Sequence, residues 1–436
     1  MPGSQRARLP LLETVNNVEL EGLRGVRGGG EVGMSFFQNR LDSYPRLAEY
    51  HLAQELGYWP YYKTVESAAR PRFTIEGNDY INFGSNNYLS LSYHPKVIEA
   101  AQRATSKYGT GVTGSRLLNG TLDLHRELEH ELADFYGREA ALVFSTGYVA
   151  NLSTIAGLLH RHDYAVLDKD AHNSLVTGAQ LSAATLKRFS HNDLDRLRRV
   201  LRDLPDDPGK AVIVDGVYSM GGETAPLDAM LELCREHPNT FLLDDEAHGL
   251  GVLGELGRGA AEHYGVLDTV DLITITFSKT LGSCGGAVIG SAEAIELLTL
   301  EADTFIFTAS NTPGSIAAAL EGVRILRDAP EMAASLRANV ELFVALLTDR
   351  GIPVNPAESA IITIPLRKDD EVSAVVLARE LLDAGVFVNP VVSPAVPKGL
   401  GLIRLSLMLD HTPAILEEAA QVMLKVLADN DQLPED

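Results

Sequence analysis

Between residues 140 and 310 the chain alternates short apolar runs with longer stretches of helical period. The runs are Ala141–Ser145, Tyr164–Leu167, Thr185–Phe189, Ala211–Val214, Thr240–Leu243, Leu272–Phe277 and Ala287–Ile289. Strands that read as continuous apolar runs and are joined through helices predict a mainly parallel sheet covered on both faces. Such a sheet binds its ligands at the carboxyl ends of its strands. Upstream, helical patterns at Pro95–Tyr108 and Leu122–Tyr136 flank a glycine-bearing loop. The second sets Leu128, Leu132 and Phe135 on one face, with Thr121 as expected N-cap and Gly137 as terminator. Beyond Pro330 the order becomes helix, strand (Ala360–Pro365), helix (Ser373–Ala384), two strands, and a last helix from Pro413 capped by Thr412. The expected organisation is a poorly ordered extension at 1–45, an N-terminal segment at 46–94, a large domain at 95–325 and a small α+β domain at 326–436.

The 436 residues are 45% hydrophobic, enough for a large core. A net charge of −22 argues against a nucleic-acid binder, which needs a basic footprint. The one basic cluster, Arg196, Arg198, Arg199 and Arg202, reads first as the solvated face of a helix and second as a docking patch for an acidic carrier protein. Cys234 and Cys284 are too few for a disulfide framework, so a reducing cytoplasm is expected. Met1–Gly30 holds no signal-peptide run, and no apolar stretch is long enough for a membrane span.

Two motifs fail on context. Gly109, Gly111 and Gly114 have dinucleotide-fingerprint spacing but follow a helix pattern instead of a strand. Asp245-Glu246-Ala247-His248 spells a helicase motif, yet the chain has no GxxxxGK[ST] phosphate loop. The remaining polar residues sit at strand ends. Lys279 in "TFSKTLGSCGG" follows a buried strand, where desolvation makes a lysine a usable nucleophile. Asp245 ends another strand, where an acid can hold a pyridinium nitrogen protonated. Ser145, Thr146 and Gly147 lead into a helix whose positive end suits a phosphate. His172 follows a further strand, placed to stack on a flat ring. Singly, each has a plainer reading: Lys279 as a helix cap, Asp245 as an arginine partner, His172 as a satisfied core histidine. Together they make an amine, an acid, a ring stacker and a phosphate cradle. His160 and His162 lack partners at ligand spacing, and no metal site is expected.

The blocks "GTGVTGSRLLNGT", "FSTGYVANL", "GVYSMGGETAPL", "DEAHGLGVLGELGRG" and "TFSKTLGSCGG" resemble those of the α-oxoamine synthases, over roughly residues 60–430. The resemblance implies an α/β fold of the fold-type I pyridoxal-phosphate class, with active sites at the interface of a homodimer. It implies that Lys279 carries pyridoxal 5′-phosphate covalently, Asp245 pairs with the pyridine nitrogen, and His172 stacks on the ring. His248, with Ser219, would hydrogen-bond the phenolic oxygen. Gly147, Tyr148, Thr276 and Ser278 would hold the phosphate, joined by Thr308 from the partner subunit. Asn86 and Arg404 match residues that bind the amino-acid substrate, Arg404 gripping its carboxylate through two N–H groups.

The implied reaction is a decarboxylative condensation of an amino acid with an acyl thioester, on coenzyme A or an acyl-carrier protein. The small residues near Asn86 and Thr113–Ser115 favour serine, alanine or glycine, with serine ahead on resemblance. Two departures are Ser90, where the family usually has glycine, and Gly221, where an acid or methionine is common. The competing readings are another reaction on the same fold, such as transamination, and a silent partner subunit. Transamination gives no reason for the "GTGVTGSRLLNGT" block, and retention of Lys279, His172, Asp245 and Arg404 speaks against silence.

Overall fold

The computed structural model describes residues 35–434 apart from 45, 56–58, 368–370 and 394. The expectation of poor order over 1–34 lies outside the described residues. The chain divides into two units, Met1–Trp59 and Pro60–Asp436. In the first, Phe36–Asp42 is helical, a correction to the expected disorder through 45. Ser35 explains it: its hydroxyl accepts from the Gln38 amide at 3.2 Å and satisfies an otherwise orphaned donor. A second helix spans Arg46–Glu55.

The second unit is built on a seven-stranded sheet of order β3-β9-β8-β7-β6-β4-β5. Its strands in chain order are β3 (Ala140–Phe144), β4 (Tyr164–Asp168), β5 (Thr185–Phe189) and β6 (Lys210–Asp215). β7 (Thr240–Asp245), β8 (Leu272–Thr276) and β9 (Gly286–Gly290) complete it. Only β9 runs against its neighbours; the other pairings are parallel. The reversal follows from the glycines after Lys279. Gly282 and Gly285 take φ of 59° and 146°, which lets the Phe277 amide bond Gly285 O at 2.9 Å and turns the chain back.

Alternate residues of the strands feed two cores. Phe144, Leu167, Ile213, Leu243 and Val288 face one, while Val143, Val166, Val212, Leu242 and Ile289 face the other. Burial on both faces is why these strands read as unbroken apolar runs. Two three-stranded sheets are smaller. One joins the antiparallel pair β1 (Arg72–Ile75) and β2 (Asn78–Asn82) to β11 (Val386–Phe387), so the N-terminal segment shares a sheet with the C-terminal region. The other pairs β10 (Ile361–Pro365) and β12 (Asn389–Val391) with β13 (Leu402–Ser406), all antiparallel.

One predicted cap is corrected. The helix after the glycine loop is Asp123–Tyr136, preceded by Leu122, whose amide donates to His125 Nδ1 at 3.1 Å. Thr121 instead donates its hydroxyl to Arg116 O at 2.6 Å, drawn away by the buried arginine. Gly137 terminates the helix at φ 65°, and Thr412 caps the last helix, Pro413–Asp429, as expected. No helix among the described residues is long and apolar enough to cross a membrane.

Candidate active site

The parallel strands deliver their carboxyl ends to one edge of the sheet. Asp215 and Asp245 end β6 and β7 in register, and Asp245 is in register with Thr274 of β8. Registered neighbours in a sheet point to the same face, so these three side chains form a polar row. Asn151, on helix Gly147–Leu158, meets it from that face. Its Nδ2 donates to Asp245 Oδ2 at 2.6 Å and to Ser174 Oγ at 2.8 Å, and its Oδ1 accepts from Thr274 Oγ1 at 2.6 Å. The other Asp245 oxygen accepts from the Ala247 amide at 2.9 Å. Both carboxylate oxygens are thus oriented by donors.

Ser174 passes the network on to His172 Nδ1 at 2.7 Å, while the His172 amide donates to Asp215 Oδ2 at 2.8 Å. His172 precedes helix Asn173–Leu181 and is solvent-exposed. Desolvation lowers its pKa against the pull of Asp245, and the charge of Lys279 lowers it further. Burial, with Asp245 beside it, raises the Asp215 carboxyl well above the ordinary range.

Lys279 lies beyond β8. Burial lowers its amine to about 8, opposed by Asp245 and Asp215 and assisted by Arg404. His248, buried at 5% exposure, is held neutral by burial and by the charges of Lys279 and Arg404. Arg404, on β13, engages all three nitrogens. Nε donates to Ser219 O at 2.6 Å, Nη1 to Ser406 Oγ at 2.9 Å, and Nη2 to Asn86 Oδ1 at 3.1 Å. A guanidinium has five N–H donors, so each terminal nitrogen keeps one for a carboxylate.

The phosphate end is built by close approach. Thr146 caps helix Gly147–Leu158, accepting from the Val149 amide at 3.1 Å. A Cβ on Gly147 would lie 2.6 Å from the Thr276 Cβ, so only glycine lets the helix start sit against the strand end. Thr276 Oγ1 and Ser278 Oγ lie 2.9 Å apart beside it. Tyr148 stands edge-on to His172 with ring centroids 6.2 Å apart. Thr308 lines a small cavity with Ser145 and Phe144.

All twelve residues expected from sequence are described, and they gather at the strand-end edge or its flanks. Of Ser219, the carbonyl is engaged, by Arg404. Sequence reasoning missed Asn151, Ser174, Asp215, Tyr88 and Ser406, each of which bonds one of the expected residues, and Thr274, which bonds Asn151. Asn151 lies within the quoted "FSTGYVANL" block, one helical turn after Gly147, and that spacing was a usable signal. Asp168, Asp170 and His191 form one group at metal-ligand spacing. Asp168 is already satisfied there by the Asp170 and Asn192 amides and His191.

This fold and strand-end constellation define the class: the chain belongs to the aminotransferase class I and II family, whose model matches residues 78–423. Within that class its relatives are α-oxoamine synthases. It is 42% identical over 384 residues to a serine palmitoyltransferase of Sphingobacterium spiritivorum, covering 87% of this chain and 96% of that one. It is 39% identical to an 8-amino-7-oxononanoate synthase of Geobacter sulfurreducens, over 86% of this chain and 95% of the other. A solved serine palmitoyltransferase structure described as carrying a PLP internal aldimine superposes with TM-score 0.87 at 36% identity, covering 90% of this chain and 99% of that one. The fold is the fold-type I fold, and the cofactor is pyridoxal phosphate. The site fits that group on its own geometry: an amine of lowered pKa, an oriented carboxylate, and a glycine cradle at a helix start.

Proposed function

We propose that this chain condenses a small α-amino acid, serine foremost, with an acyl thioester, releasing CO₂ and the free thiol and giving an α-amino ketone. The observation that carries this reading is the adjacency of two sets of groups. Arg404, with Asn86 and Ser406, offers a fork for an α-carboxylate, and its charge is felt at both Lys279 and His248. Pyridoxal phosphate, when bound, supplies the electron sink for the carbanion.

The protein's part is positioning and proton handling. With a pKa of about 8, Lys279 keeps roughly a tenth of its amine neutral at pH 7, enough to act as nucleophile and base. Asp245, fixed by Asn151 and the Ala247 amide, would hold a proton on the pyridine nitrogen. His172 would cover the ring, and Arg404 would hold the substrate carboxylate so that the bond to be broken could align with the ring's π system.

Two further points belong to the same reading. Leu117, Leu118 and Phe307 are 60%, 79% and 82% exposed. The isolated bridge between Ser115 and Ala309 brings their segments together. An apolar surface of this kind suits a second copy of the chain, which would also bring Thr308 to the phosphate of its partner. A cytoplasmic setting accords with Cys234 and Cys284 being unpaired.

The test is a CO₂-release assay on purified protein, with serine, alanine, glycine and bulkier amino acids against acyl-coenzyme A and acyl-carrier protein. We expect CO₂ only when an amino acid and a thioester are both present, with the small amino acids preferred. Formation of a keto acid without CO₂ would replace this reading with transamination.

A further inference from the structure

Tyr88 is fully buried, and its hydroxyl stands 2.7 Å from His248 Nδ1. We infer that Tyr88 is a positioning residue that fixes His248 as the neutral Nε2–H tautomer, so that the imidazole presents a donor to the cofactor.

The argument is a count of protons and lone pairs. A neutral tyrosine has one proton to give, and burial raises Tyr88 to about 12, so the hydroxyl is protonated at any working pH. Two acceptors compete for that proton: His248 Nδ1, and Asn86 Oδ1 at 3.3 Å. The Asn86 oxygen has two lone pairs. Both are taken by nearer donors, Arg404 Nη2 and Ser406 Oγ, each at 3.1 Å. Ser406 has its proton free for this bond, because its oxygen accepts from Arg404 Nη1 at 2.9 Å. The Tyr88 proton therefore goes to His248 Nδ1, which must be the unprotonated nitrogen.

The surroundings of His248 forbid the doubly protonated ring. Burial, with the charges of Lys279 and Arg404 and the nearby His172 imidazole, lowers its pKa well below the ordinary value. With one proton and Nδ1 occupied as acceptor, that proton sits on Nε2. The same logic holds at His172, whose Nδ1 accepts from the Ser174 hydroxyl. Ser174 is free to donate because its oxygen accepts from Asn151. The inference for Tyr88 deepens the functional reading and rests on His248 facing the phenolic oxygen of the cofactor. A donor there would stabilise an anionic phenolic oxygen of the bound cofactor and so lower the midpoint of its visible band.

The experiment uses holoenzyme with selectively ¹⁵N-labelled histidine, together with a pH titration of its visible absorption band. In the wild type, one buried imidazole assigned to His248 by His248→Asn should show Nε2 protonated and Nδ1 as an acceptor. Tyr88→Phe keeps the ring volume and removes the proton. It should lose the acceptor signature at Nδ1 and move the visible-band midpoint upward by about 0.5–1 pH unit, the size of one lost hydrogen bond. Protonated Nδ1 in the wild type would overturn the inference without any variant. So would a Tyr88→Phe enzyme with unchanged nitrogen signals and midpoint. A wild-type protein with no visible band would sink the functional reading, and the nitrogen signals would still decide the role of Tyr88.

Discussion

Asn151 is 3% exposed and ties together three groups that sequence alone leaves unconnected, so Asn151→Ala is the sharpest test of the site's architecture. The substitution removes the 2.6 Å bond to the Asp245 carboxylate, the 2.8 Å bond to Ser174 and the 2.6 Å bond from Thr274. A hydrogen bond to a charged group contributes about 1.5–3 kcal/mol, and a buried hydroxyl left without a partner costs about 1–3 kcal/mol. These terms overlap, and a water can enter the vacated space, so we expect a loss of roughly 3 kcal/mol in the stability of the cofactor-free protein, read from urea unfolding. The functional consequence is separable. Asp245 would keep only the Ala247 amide as an orienting donor, and pyridoxal phosphate should bind about tenfold more weakly, the equivalent of about 1.4 kcal/mol. Asn151→Asp adds a pH signature. Two carboxyls at that distance cannot both ionise, so the introduced acid must be protonated to donate to Asp245. Its pKa is raised, the bond is present at low pH, and cofactor affinity should fall as pH rises through that raised value. Wild-type cofactor affinity and an unchanged visible band in Asn151→Ala would refute the claim that Asn151 aligns Asp245.

Sharing of the site between subunits predicts complementation when Lys279→Ala and Thr308→Ala chains are mixed. One site of each mixed dimer would be complete, giving at most about a quarter of the wild-type sites in an equal mixture; activity no higher than the mean of the two parents would remove the idea. Ser90, at φ 59° and ψ 21°, holds a left-handed conformation that favours glycine, and its hydroxyl accepts from the Asp410 amide at a long 3.3 Å. Relief of about 1 kcal/mol of backbone strain against a weak hydrogen bond of about 0.5 kcal/mol makes Ser90→Gly neutral to slightly stabilising. A thermal midpoint clearly below wild type would show that the hydroxyl matters more than the backbone.

What could be read in the sequence, and what could not, divides along the direction in which side chains point. Residues at strand ends were legible because burial on both faces makes a parallel strand an apolar run, and the first polar residue after it stands out. Asp245, Lys279, His172 and Gly147 were found that way. Their partners sit inside the elements. Asn151 and Ser174 are on helices, Thr274 is within β8, and they meet Asp245 or one another from 23 to 123 residues away. Tyr88 is 160 residues from His248, and Asn86 is 318 from Arg404. No local period announces such a pair, because the period that buries a leucine on an inward face buries an asparagine there too.

The same limit appears within β7. Asp244 and Asp245 are adjacent acids in the sequence, and only register with Asp215 shows which one joins the polar row. Asp244 points to the other face. Its oxygens find no hydrogen-bond donor, and burial with Glu246 beside it raises its carboxyl well above the ordinary range. Asp245, by contrast, is held by the donors of Asn151 and Ala247. A run of acids can be read as chemistry from the sequence, but the sheet's pleat decides which acid joins the polar row and which lies behind it.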